Sequence, residues 1–179
     1  TDLKLVKQLE KLYLEGRGGG NGGESYTLAW YFAAHKTRCD AMIKRGRKGY
    51  LFTIGDESPL PVIRKDEVKQ VFGDDIENNI KINDLYNLVS QNWEVFHLIV
   101  RPVESQKPLE TWRNILGERA IYVDDHTKLG EVISAIIRAN EGHKIDDIVK
   151  DWDGSTGIVV RNAIKGLTVN SDEYGVVSL

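Results

Sequence analysis

The chain has 179 residues and a mass of 20.2 kDa, enough for one domain with a real hydrophobic core. Apolar residues make up 41% and charged residues 28%, which is a globular and not a disordered composition. Lys plus Arg is 24 against 27 for Asp plus Glu, a net charge of −3, so no electrostatic footprint for nucleic acid or an anionic membrane is expected.

The single cysteine, Cys39, cannot form an internal disulfide, and the same count excludes a Cys-rich zinc site. The longest apolar runs are about six residues, well short of the roughly 20 that cross a bilayer. Thr1-Asp2-Leu3-Lys4 does not read as a signal peptide. The expectation is a soluble, cytoplasmic domain with no membrane partner.

Leu3, Leu5, Val6, Leu9, Leu12 and Tyr13 recur at helical spacing, with Asp2 placed to cap the start. Gly16 ends that helix, and the glycine-rich stretch to Gly23 cannot continue it. One long helix is then predicted from Glu24-Ser25 through Met42 and Ile43, closed by the basic stretch 44–49. The run Gly49-Tyr-Leu-Phe-Thr-Ile54 reads as a buried parallel strand that stops at the polar turn Gly55-Asp56-Glu57-Ser58-Pro59. Open α/β sheets bind their ligands just past such strand ends.

Short helices are predicted over 65–72 and 82–91, the second opened by Asn83 or Asp84. A second buried strand covers 94–100, a brief helix 109–116, and a third strand 120–123, ended by Asp124-Asp125-His126. An amphipathic helix follows over 127–140, with Leu129, Val132, Ile133, Ile136 and Ile137 on its inner face, and helical patterns occupy 143–152 and 156–167. Strands alternating with helices predict one domain over 1–179. Its class is α/β, a Rossmann-like three-layer sandwich with a mainly parallel sheet. Three strands are few for that architecture, so the sheet is expected to lack its first strand or strands.

Gly18-x-Gly20-x-x-Gly23 satisfies a dinucleotide fingerprint literally, but that mechanism needs a preceding strand and here a helix precedes it. A flexible surface turn is the simpler account of the loop taken alone. A better one joins it to the strand-end acids. Asn21, Glu24 and Ser25 sit at a helix start, and Asp56 and Glu57 sit just after a strand. Hard oxygen ligands on loops above a parallel sheet suit Mg²⁺, which keeps several waters and needs only one or two carboxylates.

Two segments carry a family resemblance. Gly18-Gly-Gly-Asn-Gly-Gly-Glu-Ser25 before an Ala-rich helix, followed by Gly49-Tyr-Leu-Phe-Thr-Ile-Gly-Asp-Glu-Ser-Pro59, resembles the second half of a von Willebrand factor A-like (VWA) domain. The resemblance, to the bacterial and phage intracellular type, covers about residues 1–140 and leaves 141–179 as a helical C-terminal extension. It implies a metal-ion-dependent adhesion site (MIDAS) above the sheet, with Mg²⁺, or Mn²⁺ as substitute, completed by a partner's carboxylate. Carried over by position, Asp56 is the strand-end acid and Asn21 the middle-loop ligand, where the family has Thr or Asp; Ser25 and Glu24 are alternatives beside it. Gly55 stands where the family has Thr. The family's Asp-x-Ser-x-Ser has its nearest match in Asp153-Gly-Ser155-Thr-Gly157, which lacks the last serine and reads as a helix cap.

The resemblance implies a non-catalytic protein-interaction module, with a MoxR-type AAA+ ATPase as the partner class that such intracellular domains accompany. The rival reading is a metal-assisted hydrolase or phosphotransferase with Asp56 and Glu57 as ligands. It needs a nucleophile-orienting group, and no catalytic set emerges from the sequence. His35 and Cys39 form an i, i+4 pair without a second pair beside it, and His97 within an apolar strand reads as a satisfied core histidine. Trp30, Trp93, Trp112 and Trp152 read as core anchors.

Overall fold

A computed structural model of the chain describes residues 7, 23–100 and 107–168. The predicted first helix, most of the glycine loop and the last eleven residues lie outside the described residues. The elements in chain order are α1 (Tyr26–Lys36), α2 (Asp40–Arg45), β1 (Gly49–Gly55), β2 (Val62–Ile63), α3 (Lys65–Phe72), β3 (Ile80–Lys81) and α4 (Ile82–Val89). They continue with β4 (Trp93–Ile99), α5 (Lys107–Leu116), β5 (Ala120–Tyr122), α6 (Leu129–Asn140), α7 (Ile145–Val149) and α8 (Gly154–Ile164).

The main sheet is parallel in the order β1-β4-β5, with Gly49 opposite Trp93 and His97 opposite Ala120. The fold is therefore α/β, compatible with a Rossmann-like sandwich. Alternation along β4 divides the core. Trp93, Val95 and Ile99 join Trp30 and Tyr31 of α1, Leu85 and Val89 of α4, and Trp112 and Leu116 of α5 on one face. Phe96 and Leu98 join Val132 and Ile136 of α6, Ile148 of α7 and Val160 and Ile164 of α8 on the other. Because successive strand residues point to opposite faces, one nearly all-apolar strand serves two helical layers, which is why β4 reads as a continuous apolar run. Helices α7 and α8 thus bury side chains in the same core as α6.

The sequence expectations err in three places. The single long helix is two, because residues 37–39 are extended before α2 begins: Thr37 (φ −120°, ψ 134°) and Cys39 (φ −118°, ψ 163°) both have strand-like dihedrals. The break sets the Cys39 sulfur beside Gly49, 3.0 Å from where a Cβ would stand, so Cys39 packs at the start of β1 and shares no helix face with His35. Helix α4 is entered through Lys81 and not capped by Asn83 or Asp84. The short antiparallel pair β2–β3 went unpredicted, since two-residue strands carry too little alternation to register.

No described helix is long and apolar enough to cross a membrane. At the start of α8 Asp153 stands at the N-cap position without a cap hydrogen bond from its side chain, and Ser155 and Thr156 lie within the helix.

Candidate functional site

The C-terminal edge of the sheet is where the chain brings its two motif segments together. The Glu24 amide donates to the Ser58 carbonyl (3.0 Å) and the Leu60 amide donates to the Glu24 carbonyl (3.3 Å), forming an isolated parallel bridge between Glu24 and Pro59. The entry to α1 is thereby fastened to the turn that follows β1. Gly23 is what allows the approach: a Cβ there would stand 2.8 Å from the Ser58 carbonyl oxygen, closer than real Cβ contacts.

Tyr26, in the first turn of α1, reaches over the end of β1. A Cβ on Gly55 would lie 1.9 Å from the Tyr26 hydroxyl oxygen, so the space that a threonine would take at this position is filled by a phenol. The Glu57 backbone lies close enough to Tyr26 to pull the pKa of its hydroxyl down in part, and the indole of Trp112 donates to the Glu57 carbonyl at 3.0 Å. Burial raises the Tyr26 pKa above its ordinary value, and the negative charges of Glu24, Asp56 and Glu57 push it the same way. All three acids therefore lie within electrostatic reach of one hydroxyl.

Beneath Tyr26 lies a fully buried polar group. His97 of β4 is 0% exposed, stacks on Trp112 with ring centroids 3.7 Å apart, and meets Tyr26 edge-on at 4.9 Å. Its Nδ1 pairs with the Thr53 hydroxyl of β1 at 2.8 Å, while Nε2 has no hydrogen-bond partner among the described residues. The expectation of a satisfied core histidine is therefore met at one ring nitrogen only. Burial depresses the His97 pKa to about 3, so the ring is neutral at physiological pH.

Of the sequence-derived ligand candidates, Asp56 is half-buried in the turn after β1, Glu24 is exposed, and Ser25 is half-buried at the N-cap of α1 without using its side chain as a cap. Asn21 lies outside the described residues. These are hard oxygen donors of the kind Mg²⁺ prefers. Among the described residues, no group of three His, Cys, Asp or Glu side chains converges tightly enough to hold a metal ion.

Asp125, just past the end of β5, caps the turn that leads into α6: its carboxylate accepts from the Thr127 amide at 2.9 Å and the Thr127 hydroxyl at 2.7 Å. What the sequence reading missed is Tyr26. The available signal was Gly55 itself, a glycine where a strand end would tolerate any side chain unless something occupied its space.

No family model, curated protein or solved structure matches the chain. The VWA resemblance accordingly rests on the two motifs, their order and their spacing.

Proposed function

We propose that the chain is a non-catalytic protein-interaction module of VWA type, binding its partner through a Mg²⁺-dependent, MIDAS-like site at the C-terminal ends of the strands. The observation that carries this reading is the backbone pairing of Glu24 with Ser58 and Leu60, which joins the exit of the glycine loop to the acidic turn. Asp56 would contribute a carboxylate, and Ser25, Glu24 and Asn21 would contribute oxygen donors from the neighbouring loop. The metal would supply a Lewis-acidic point that an acidic side chain of the partner can complete, and a MoxR-type AAA+ ATPase is the partner class the resemblance suggests.

The Trp112 bond to the Glu57 carbonyl supports the same reading, because a turn tied to a buried indole presents Asp56 from a fixed backbone. The test is calorimetric titration of Mg²⁺ and Mn²⁺ into the chain and into Asp56→Ala. Binding that is lost in the variant is expected. Absence of binding by the unaltered chain, or equal binding by both, would remove Asp56 from the role given it here. Turnover of a phosphoester with either metal would favour the hydrolase reading instead.

A further inference from the structure

Strand β1 has a sheet neighbour on one side only among the described residues. The hydrogen bonds from the Gly49 amide to the Asn92 carbonyl and from the Val100 amide to the Gly55 carbonyl fix which of its backbone groups face β4: those of residues 49, 51, 53 and 55. By alternation, the amides and carbonyls of Tyr50, Phe52 and Ile54 point outward, away from β4. Among the described residues, this outer edge carries none of the usual protections. No lysine, proline or bulge interrupts Gly49-Tyr-Leu-Phe-Thr-Ile-Gly55, and Ile54 is 43% exposed beside the half-buried Phe52. Helices α6 and α8 cover Phe96, Leu98 and Ile121 on that face.

The sequence around the edge is complementary to itself when reversed. Arg47-Lys48 precedes the strand and Asp56-Glu57 follows it, and Phe52 is the midpoint of both. An antiparallel pairing about Phe52 sets Tyr50 opposite Ile54, Gly49 opposite Gly55, Lys48 opposite Asp56 and Arg47 opposite Glu57. Every outward backbone group then finds a partner, the apolar side chains of 50, 52 and 54 meet on one face, and unlike charges meet at both ends. A parallel addition of the same segment would set like charges together. A two-fold axis produces the antiparallel arrangement and closes it at two chains.

We infer that β1 is a homodimerisation edge: two copies of this chain pair β1 antiparallel about Phe52 into one continuous six-stranded sheet. In the single chain Lys48 pairs with Glu94 of β4 (3.8 Å) and Arg47 with Glu141, so both cations turn from these acids toward the incoming ones when the edge is paired. The interface needs no metal; it shares Asp56 with the site proposed above, and a chelator in the test keeps the two readings distinguishable.

The test is sedimentation equilibrium of the 179-residue chain in the presence of a chelator, over a range of concentrations. A reversible dimer is expected. Ile54→Lys places a charge on the exposed edge, and Lys48→Glu sets acid against acid; each should weaken the dimer by about tenfold or more. Lys48→Glu combined with Asp56→Lys should restore it, because the pair is re-formed with its signs exchanged. Circular dichroism of each variant confirms that the protomer remains folded. A chain that stays monomeric throughout, as it would with another strand occupying the edge, overturns the inference. So does a dimer indifferent to both single substitutions, or one that the charge exchange fails to rescue.

Discussion

The Thr53 hydroxyl and the His97 Nδ1 lie 2.8 Å apart at directly opposed positions of two parallel strands, sealed beneath Tyr26 and Trp112. The same hydroxyl is 3.4 Å from the Phe96 carbonyl, a weak second contact. If Thr53 donates to Phe96, the imidazole carries its proton on Nδ1; if it donates to His97, the proton sits on Nε2. In either tautomer Nε2 is buried without a partner among the described residues, an arrangement that costs about 1–3 kcal/mol against a paired group. The ring's stacking on Trp112 offsets part of that cost.

A pH dependence follows from the depressed pKa. The folded value is about 3 and the unfolded value is near 6.5, so below pH 6.5 the unfolded chain binds a proton that the folded chain refuses. The stability this neutral histidine permits is complete above about pH 6.5 and is lost as pH falls toward 3. At pH 4.5 the loss from this group alone is roughly 2–3 kcal/mol. Urea denaturation at pH 7 and 4.5, on the chain and on His97→Phe, isolates it. The variant should be as stable as the parent or more so at pH 7, because the orphaned nitrogen is gone, and should lose less on acidification. Equal losses in both would show that His97 takes no part in the acid response.

The approach of Tyr26 to Gly55 predicts a coupled pair. Gly55→Ala drives a Cβ to within 1.9 Å of the phenol oxygen and should cost about 1–3 kcal/mol, the range for forcing a group into filled space. Tyr26→Phe alone should cost about 1 kcal/mol or less, because only the hydroxyl is lost and the ring stays packed on His97 and Trp112. In the double variant the nearest clashing atom is absent and the ring carbon, 2.8 Å away, remains. Gly55→Ala should therefore cost less in the Tyr26→Phe background than in the parent. Additive losses in a double-mutant cycle would mean that the loop moves aside and that Tyr26 does not require the glycine.

The sheet and its helical layers were legible because β1 and β4 are nearly continuous apolar runs of strand length and α6 carries one strong helical period. The break at 37–39 was not, since Thr37, Arg38 and Cys39 are all tolerated in helices and the contact of Cys39 with Gly49 that accompanies the break is a tertiary one. At the site, the meeting of the glycine-loop exit with the acidic turn was foreseeable from the order of strand and helix. The roles of Tyr26 and Trp112 were not. Trp112 is 55 residues from the Glu57 carbonyl to which it donates, and no local pattern reports a contact of that span. His97 was read correctly as core, but sequence alone does not show that one of its nitrogens has no partner among the described residues.

Trp112 supplies the last prediction, because it holds the acidic turn from below. Its indole N–H is bonded to Glu57, its ring stacks on His97, and Tyr26 packs edge-on against it at 5.3 Å. Trp112→Phe keeps an aromatic ring but removes the donor, leaving the Glu57 carbonyl short of one hydrogen bond at a cost of about 1–3 kcal/mol. If that bond governs the turn, the loss is local. Amide exchange should accelerate at Glu24 and Leu60, whose amides close the bridge to the turn, and should stay slow at Gly49 and Val100 in the β1–β4 ladder. Exchange that accelerates equally at all four amides would instead show a global loss of stability, with the turn held by its backbone bridge and not by Trp112. A turn loosened in this way would also present Asp56 less rigidly, so Mg²⁺ affinity, where the unaltered chain shows any, should fall in the same variant.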